Sequence, residues 1–233
     1  MRAIIQAGGS GTRLRPVTYE TPKPLLTVHK KPIIDHIIEF LKQQGIHEIG
    51  VVISAEHHDD FRKWLDAAPG IAGKNISLFV EAKPSGTFGW LRNLKKWLGN
   101  NPFILVNGDT LLDFTIDHAM EVHRKHKPIV TVALMSVENP GDYGAVAVGE
   151  NNYIVSFVEK PKNIADPSLV SAGFYIVEPS VFEYDQPERD FLMIEHDIFP
   201  ALTNAKKIAG AIVKGRFFDC GTFERWEAAI REW

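Results

Sequence analysis

The segment Gly8-Gly9-Ser10-Gly11-Thr12-Arg13-Leu14 is the first stretch of this 233-residue chain equipped for chemistry. Its glycines let the backbone approach a ligand closely and take positive φ angles. Successive N–H groups can then cradle an anion. Arg13 adds a permanent charge and a fork of donors suited to phosphate. A second cation, Lys23, stands between Pro22 and Pro24, which stiffen its approach. Two familiar phosphate loops are excluded: the chain has no Gly-x-x-x-x-Gly-Lys-Ser/Thr string, and Leu14 occupies the third glycine position of a dinucleotide-binding fingerprint. Three glycines alone fit a plain strand-to-helix turn equally well. Thr12, Arg13 and Lys23 tip the reading towards phosphate.

Other polar groups could join that loop. Asp109, in Asn107-Gly108-Asp109, and Asp219 are carboxylates far apart in the chain, and nothing in their spacing brings them together. Read in isolation, Asp109 is a turn former, and Asp219 an acid favoured by the dipole of the helix that follows it. Glu159 and Lys160, read in isolation, make a surface ion pair on a strand.

The elements that must position these residues follow from apolar periodicity. Short apolar runs at Ala3–Ala7, Gly50–Ile53, Ile76–Val80 and Phe103–Val106 read as strands. Helical spacing marks Ile33–Leu41, Phe61–Ala68 (ended by Pro69-Gly70) and Phe88–Leu98. Strands alternating with helices imply a mostly parallel sheet covered on both faces. Ligands of such sheets sit beyond the carboxyl ends of the strands. That rule gathers Gly8–Arg15, Glu81–Gly86 and Asn107–Asp109 on one rim. The second half is richer in extended runs, at Ile129–Met135, Gly144–Val148, Ile154–Val158, Ala172–Val177 and Ile208–Val213, before a helix over Thr222–Glu232.

Composition narrows the class. A net charge of −3 disfavours a nucleic-acid grip. The lone cysteine, Cys220, rules out a disulfide framework or a Cys-based zinc site and fits a reducing compartment. The apolar start is too short for a signal peptide, and no run reaches membrane-spanning length. The expectation is a cytoplasmic protein with no nucleic-acid or membrane partner, with a homo-oligomer left open.

Taken together and in order, these segments resemble a known family. Gly8-Gly9-x-Gly11-Thr12-Arg13-Leu14-x-Pro16-x-Thr18, Pro22-Lys23-Pro24-Leu25 and Lys31-Pro32-Ile33-Ile34 are similar to the signature of sugar-1-phosphate nucleotidyltransferases. Pro84-x-Gly86-Thr87-x-Gly89 resembles the family's nucleotide-base loop, and Asn107-Gly108-Asp109 its metal motif. Tyr143-Gly144, Val158-Glu159-Lys160-Pro161, Ala172-Gly173-Phe174-Tyr175 and Asp219-x-Gly221-Thr222 resemble its sugar and second metal segments. The short forms most resembled are mannose- and heptose-1-phosphate guanylyltransferases.

The resemblance implies an α/β, Rossmann-like fold with a central mixed, mostly parallel sheet and a small sugar-binding lobe. It implies one domain over 1–233, with about 1–115 taking nucleotide and about 116–233 taking sugar phosphate. The implied substrates are a nucleoside triphosphate and a sugar 1-phosphate, with Mg2+ as cofactor. Arg13 and Lys23 would be catalytic. Ala7, Gly8, Gly9, Gly11, Thr12, Arg13, Glu81, Pro84, Gly86, Thr87, Asn107 and Gly108 would hold the nucleotide. Gly144, Glu159, Lys160, Ser171 and Gly173 would hold the sugar phosphate, and Asp109 and Asp219 the metal. Ser171 departs from the Asn common in relatives. The chain ends soon after Asp219, so the β-helix or acyltransferase extension of larger relatives is not expected.

The base is read from Glu81, where uridylyl and thymidylyl relatives carry Gln. A carboxylate only accepts hydrogen bonds. Guanine offers adjacent N1–H and N2–H donors, so GTP is favoured. UTP, CTP and dTTP stay open, because backbone groups of Ala7, Gly8 and Gly86 can also read a base. A glycosyltransferase is disfavoured by the lack of Asp-x-Asp at a strand end, and a non-catalytic sensor by the presence of Arg13, Lys23, Asp109 and Asp219. His57-His58-Asp59-Asp60, the trio His118, His123 and His126, His196-Asp197, Trp90, Trp97 and Cys220 are read as structural.

Overall fold

A computed structural model describes residues 1–67, 75–138, 144–159 and 168–233. The chain divides into two compact units. The first is Met1–Pro84, Leu105–Asp113 and Arg216–Trp233, and the second Ser85–Ile104 and Phe114–Gly215.

Strands of the first unit run in the order 105–107 (the end of the strand Phe103–Asn107), Arg2–Gln6, Glu48–Ser54, Ile76–Glu81. Arg2–Gln6 pairs in parallel with Glu48–Ser54, which pairs in parallel with Ile76–Glu81. The helix Ile33–Gln43 buries Ile33, Ile34, Ile37, Ile38 and Leu41, the face its spacing predicted. Each such side chain contributes roughly 1.5–3 kcal/mol on burial. A two-stranded ribbon pairs Gly215–Asp219 with Thr110–Phe114. Neither strand stands out in the sequence. Each is short, and Gly215–Asp219 is only half-buried, so apolar alternation is weak.

The second unit carries Val130–Val137, Gly144–Val148, Ile154–Glu159, Ser168–Val177 and Ile208–Ile212. Three of its pairings are antiparallel, and Ile208–Ile212 runs parallel to Val130–Val137. A register shift between Ser171 and Tyr175 bulges the long strand at Gly173, whose φ is +70°. The mixed, mostly parallel sheet with helices is therefore as expected. One helix is not. Phe88–Leu98 was expected to be continuous but runs as three short turns, Gly86–Gly89, Trp90–Leu94 and Lys95–Leu98. The N–H groups of Phe88 and Gly89, which have no acceptor inside a helix that starts there, both donate to Leu192 O (2.9 and 3.2 Å) and so cap its first turn.

Candidate active site

The phosphate-type loop leaves the first strand as predicted. Ala7 N–H still donates to Val52 O (2.8 Å), and the chain then turns away from the sheet. Thr18 Oγ1 donates to Gly11 O (2.8 Å) and closes the loop from behind. Gly9, Thr12 and Arg13 are exposed, whereas Leu14 is fully buried and anchors the loop. Lys23 opens a tight turn in which Leu25 N–H donates to Pro22 O (2.8 Å). Pro22 and Pro24 are buried, so the backbone under Lys23 is held on both sides.

Asp109 follows the strand Phe103–Asn107. Gly108 N–H donates to Gln6 O (2.9 Å), and a Cβ there would stand 2.4 Å from the same oxygen. Only glycine allows that approach, which sets Asp109 beside the end of the first strand. Asp219 ends the ribbon strand Gly215–Asp219 rather than opening a helix. Cys220 N–H donates to Asp109 O (2.9 Å), so the ribbon itself brings the two acids together.

Four predicted residues thereby converge in the first unit. Lys23 Nζ pairs with Asp109 Oδ2 at 2.7 Å. Arg13 reaches the same place, since a Cβ on Gly221 would lie 3.0 Å from Arg13 Nη2 and 2.7 Å from Asp219 Oδ1. Arg225, which the sequence reading did not single out, ion-pairs with Asp219. Its only sequence signal is a basic residue in the first turn after Asp219, where a cation opposes the helix dipole. Burial first, and the nearby Asp109 carboxylate second, raise the Asp219 carboxyl above its ordinary range, against the pull of Arg225 and Lys23. The same surroundings, burial foremost, push the Cys220 thiol up to about 12. That leaves Cys220 a buried, inert thiol, as expected.

Among the described residues no group of three or more His, Cys, Asp or Glu gathers to hold a metal ion. Two carboxylates that disfavour each other's charge fit an ion that takes only two side chains and completes its shell with phosphate and water, as magnesium does. Glu81 ends its strand at the same rim: a Cβ on Gly8 would lie 3.3 Å from Glu81 Oε2. Asn107 is half-buried at its strand end, and Pro84 is exposed.

The remaining described candidates belong to the second unit. Gly86 has a φ of +83°, and a Cβ there would stand 2.3 Å from Leu192 O. Thr87 Oγ1 donates to Glu195 Oε2 and accepts from Ile194 N–H, both at 2.8 Å. Ser171 Oγ accepts from Gly173 N–H (3.2 Å) and donates to Tyr175 OH (3.3 Å). Gly144 opens its strand. Lys160, Tyr143 and Pro161 lie outside the described residues, as does the side chain of Glu159.

The features read as structural have structural partners. His57 pairs with Asp60 at 3.2 Å, and Asp197 accepts from Met193 N–H and Arg189. His123 is buried between Thr131 and Glu178, and burial lowers its pKa. Trp90 is core. No described helix is long and apolar enough to cross a membrane.

Comparisons with known proteins place the chain in a family. Residues 2–232 match the model of the family described as Nucleotidyl transferase. A mannose-1-phosphate guanylyltransferase catalytic subunit beta of Drosophila pseudoobscura pseudoobscura is 34% identical over 222 residues, covering 94% of this chain and 59% of that protein. The chain thus spans about three fifths of the length of the curated relatives it matches. The crystal structure of HddC from Yersinia pseudotuberculosis complexed with GMP-PN is 26% identical with a TM-score of 0.82, covering 99% of this chain and 98% of that one. A UDP-glucose pyrophosphorylase complexed with UDP-glucose, at 24% identity and a TM-score of 0.78, covers 99% of this chain and 97% of its own, and shares the fold.

Proposed function

Because the chain belongs to the nucleotidyl transferase family, we propose that it transfers the guanylyl group of GTP to a sugar 1-phosphate, releasing pyrophosphate. The observation that carries this reading is the convergence of Arg13, Lys23, Asp109 and Asp219 at one end of the first unit. Relatives named mannose-1-phosphate guanylyltransferases support mannose 1-phosphate as the acceptor.

In this reaction an oxygen of the sugar 1-phosphate attacks the α-phosphorus of the triphosphate. The new P–O bond forms as the bond to the β-phosphate oxygen breaks, and pyrophosphate departs. The nucleophile is already anionic, so no general base is needed. The barrier is repulsion between two anions and charge growing on the leaving group, which cations and N–H groups set in advance relieve. Arg13 holds the triphosphate and stabilises the departing pyrophosphate. Lys23 exchanges Asp109 for the α-phosphate and the incoming phosphate. The backbone of Gly8, Gly9, Gly11 and Thr12 cradles the phosphates. Glu81, with backbone groups of Ala7 and Gly8, reads the base. Pro84, Thr87, Asn107 and Gly108 shape the nucleotide contacts. Gly144, Glu159, Lys160, Ser171 and Gly173 hold the sugar phosphate. Asp109 and Asp219 hold Mg2+, which supplies Lewis-acid neutralisation of phosphate charge.

The test is pyrophosphate release with GTP, UTP, CTP, dTTP and ATP against a panel of hexose and heptose 1-phosphates. Magnesium-dependent turnover with GTP and mannose 1-phosphate is expected. Turnover with another triphosphate only would overturn the choice of base, and no turnover across the panel would overturn the reaction.

A further inference from the structure

Three cations surround two carboxylates at the working end of the first unit, and one of them stands apart. Arg13 and Lys23 belong to the loop that faces phosphate in the proposed reaction. Arg225 lies instead in the first turn of the helix Phe223–Glu232, where a cation meets the positive end of the helix dipole. Its ion pair with Asp219 offsets that cost, with only 15% and 19% of the two side chains exposed. The Arg225 N–H also donates to Thr222 Oγ1 (3.3 Å), so the root of the side chain is fixed. Both carboxylates of the metal pair are thus engaged by protein cations, Asp109 by Lys23 and Asp219 by Arg225. A guanidinium and a divalent cation on one carboxylate repel each other strongly at this burial.

We propose that Arg225 is a positioning residue that competes with the divalent cation for Asp219, so that the site holds metal weakly until nucleotide phosphates draw the arginine away. This rests on the nucleotidyl-transfer reading of the site. Phosphate oxygens offer the guanidinium a bidentate anionic partner. The same oxygens complete the coordination of the cation. Nucleotide and metal binding are then coupled, each favouring the other by the same factor.

The test is a titration of the nucleotide-free protein with Mn2+, with free ion followed by electron paramagnetic resonance. Arg225→Gln is expected to bind Mn2+ about fivefold more tightly than wild type, or better, the lower range of a typical coupling. Arg225→Met, which keeps side-chain length without charge, is expected to match it and serves if the glutamine variant does not fold. Asp219→Asn is expected to lose the binding. A merely structural role for Arg225, holding Asp219 in place, predicts weaker Mn2+ binding in both arginine variants. Equal or weaker binding in a folded arginine variant therefore overturns the proposal, as does wild-type Mn2+ affinity in Asp219→Asn. Pyrophosphate release by the wild type, measured in parallel, separates the two ideas. Without turnover the nucleotidyl-transfer reading fails, whereas turnover with unchanged Mn2+ affinity in the arginine variants removes only the role of Arg225.

Discussion

The charged end of the first unit and the Gly86 turn of the second both depend on glycine, but different forces hold them. In the first, Gly108 and Gly221 leave room for charged groups to crowd together, and the ion pairs there are Lys23–Asp109 and Arg225–Asp219. In the second, Gly86 presses against Leu192 O, and the surrounding bonds run to backbone groups and to Thr87. Ion pairs between half-buried groups can exchange partners when a charged ligand arrives. A turn locked by backbone bonds and contact distances cannot change without local unfolding. The first region can therefore be rearranged by a charged ligand, whereas the second keeps its shape.

That contrast is sharpest in Asp109→Ala. Pyrophosphate release is expected to fall by about a thousandfold or more, the scale of losing a preorganised charge at a phosphoryl centre. The fold should survive, because Lys23 keeps the nearby Asp219 carboxylate as a counter-charge. Arg13→Ala should behave alike, with a loss of about a hundredfold. A variant that unfolds, or one with wild-type turnover, breaks the comparison. Gly86→Ala should do the reverse, costing about 2–4 kcal/mol of stability in urea titration through strain and overlap with Leu192 O. If it folds with normal stability, the turn is softer than its geometry implies.

Smaller effects refine the picture. Glu81→Gln should shift the ratio of kcat/KM for GTP over UTP downwards by about tenfold or more, because an amide presents a donor where guanine also donates. An unchanged ratio would leave base choice to the backbone. Thr87→Val removes the hydroxyl that joins Ile194 N–H to Glu195 and should cost about 1–3 kcal/mol of stability, with KM for the triphosphate rising more than kcat falls. Cys220 should resist a thiol reagent at pH 8 until the protein unfolds, since a thiol pushed up to about 12 is protonated there. Fast modification in the folded state would contradict the burial that also raises Asp219.

Much of this molecule was legible in its sequence where local physics decides. The strands ending at Gln6 and Glu81 follow from short apolar runs, and the Ile33–Gln43 helix from its spacing. The turn that stiffens Lys23 follows from its two prolines. The Phe88–Leu98 pattern misled because helical periodicity reports a buried face and not whether the backbone runs on as one helix. The ribbon strands were missed because both are short, and one is mostly buried while the other is half-exposed, so neither alternates cleanly. Arg225 was missed because a basic residue in a first helical turn has no meaning until its partner is known.

The sequence by itself determined the order and chemistry of the pieces: a glycine loop with an arginine, a proline-held lysine, and acids at two far-apart positions. Backbone sterics and apolar periodicity act over a few residues, so they are written locally. Only the tertiary structure decided that Asp109 and Asp219 share one place, that Lys23 and Arg225 neutralise them, and that Glu81 turns back against Gly8. Those meetings depend on the pairing of a ribbon and the parallel register of neighbouring strands. Such long-range pairings are selected by packing and hydrogen bonding across the whole core, and no local pattern encodes them.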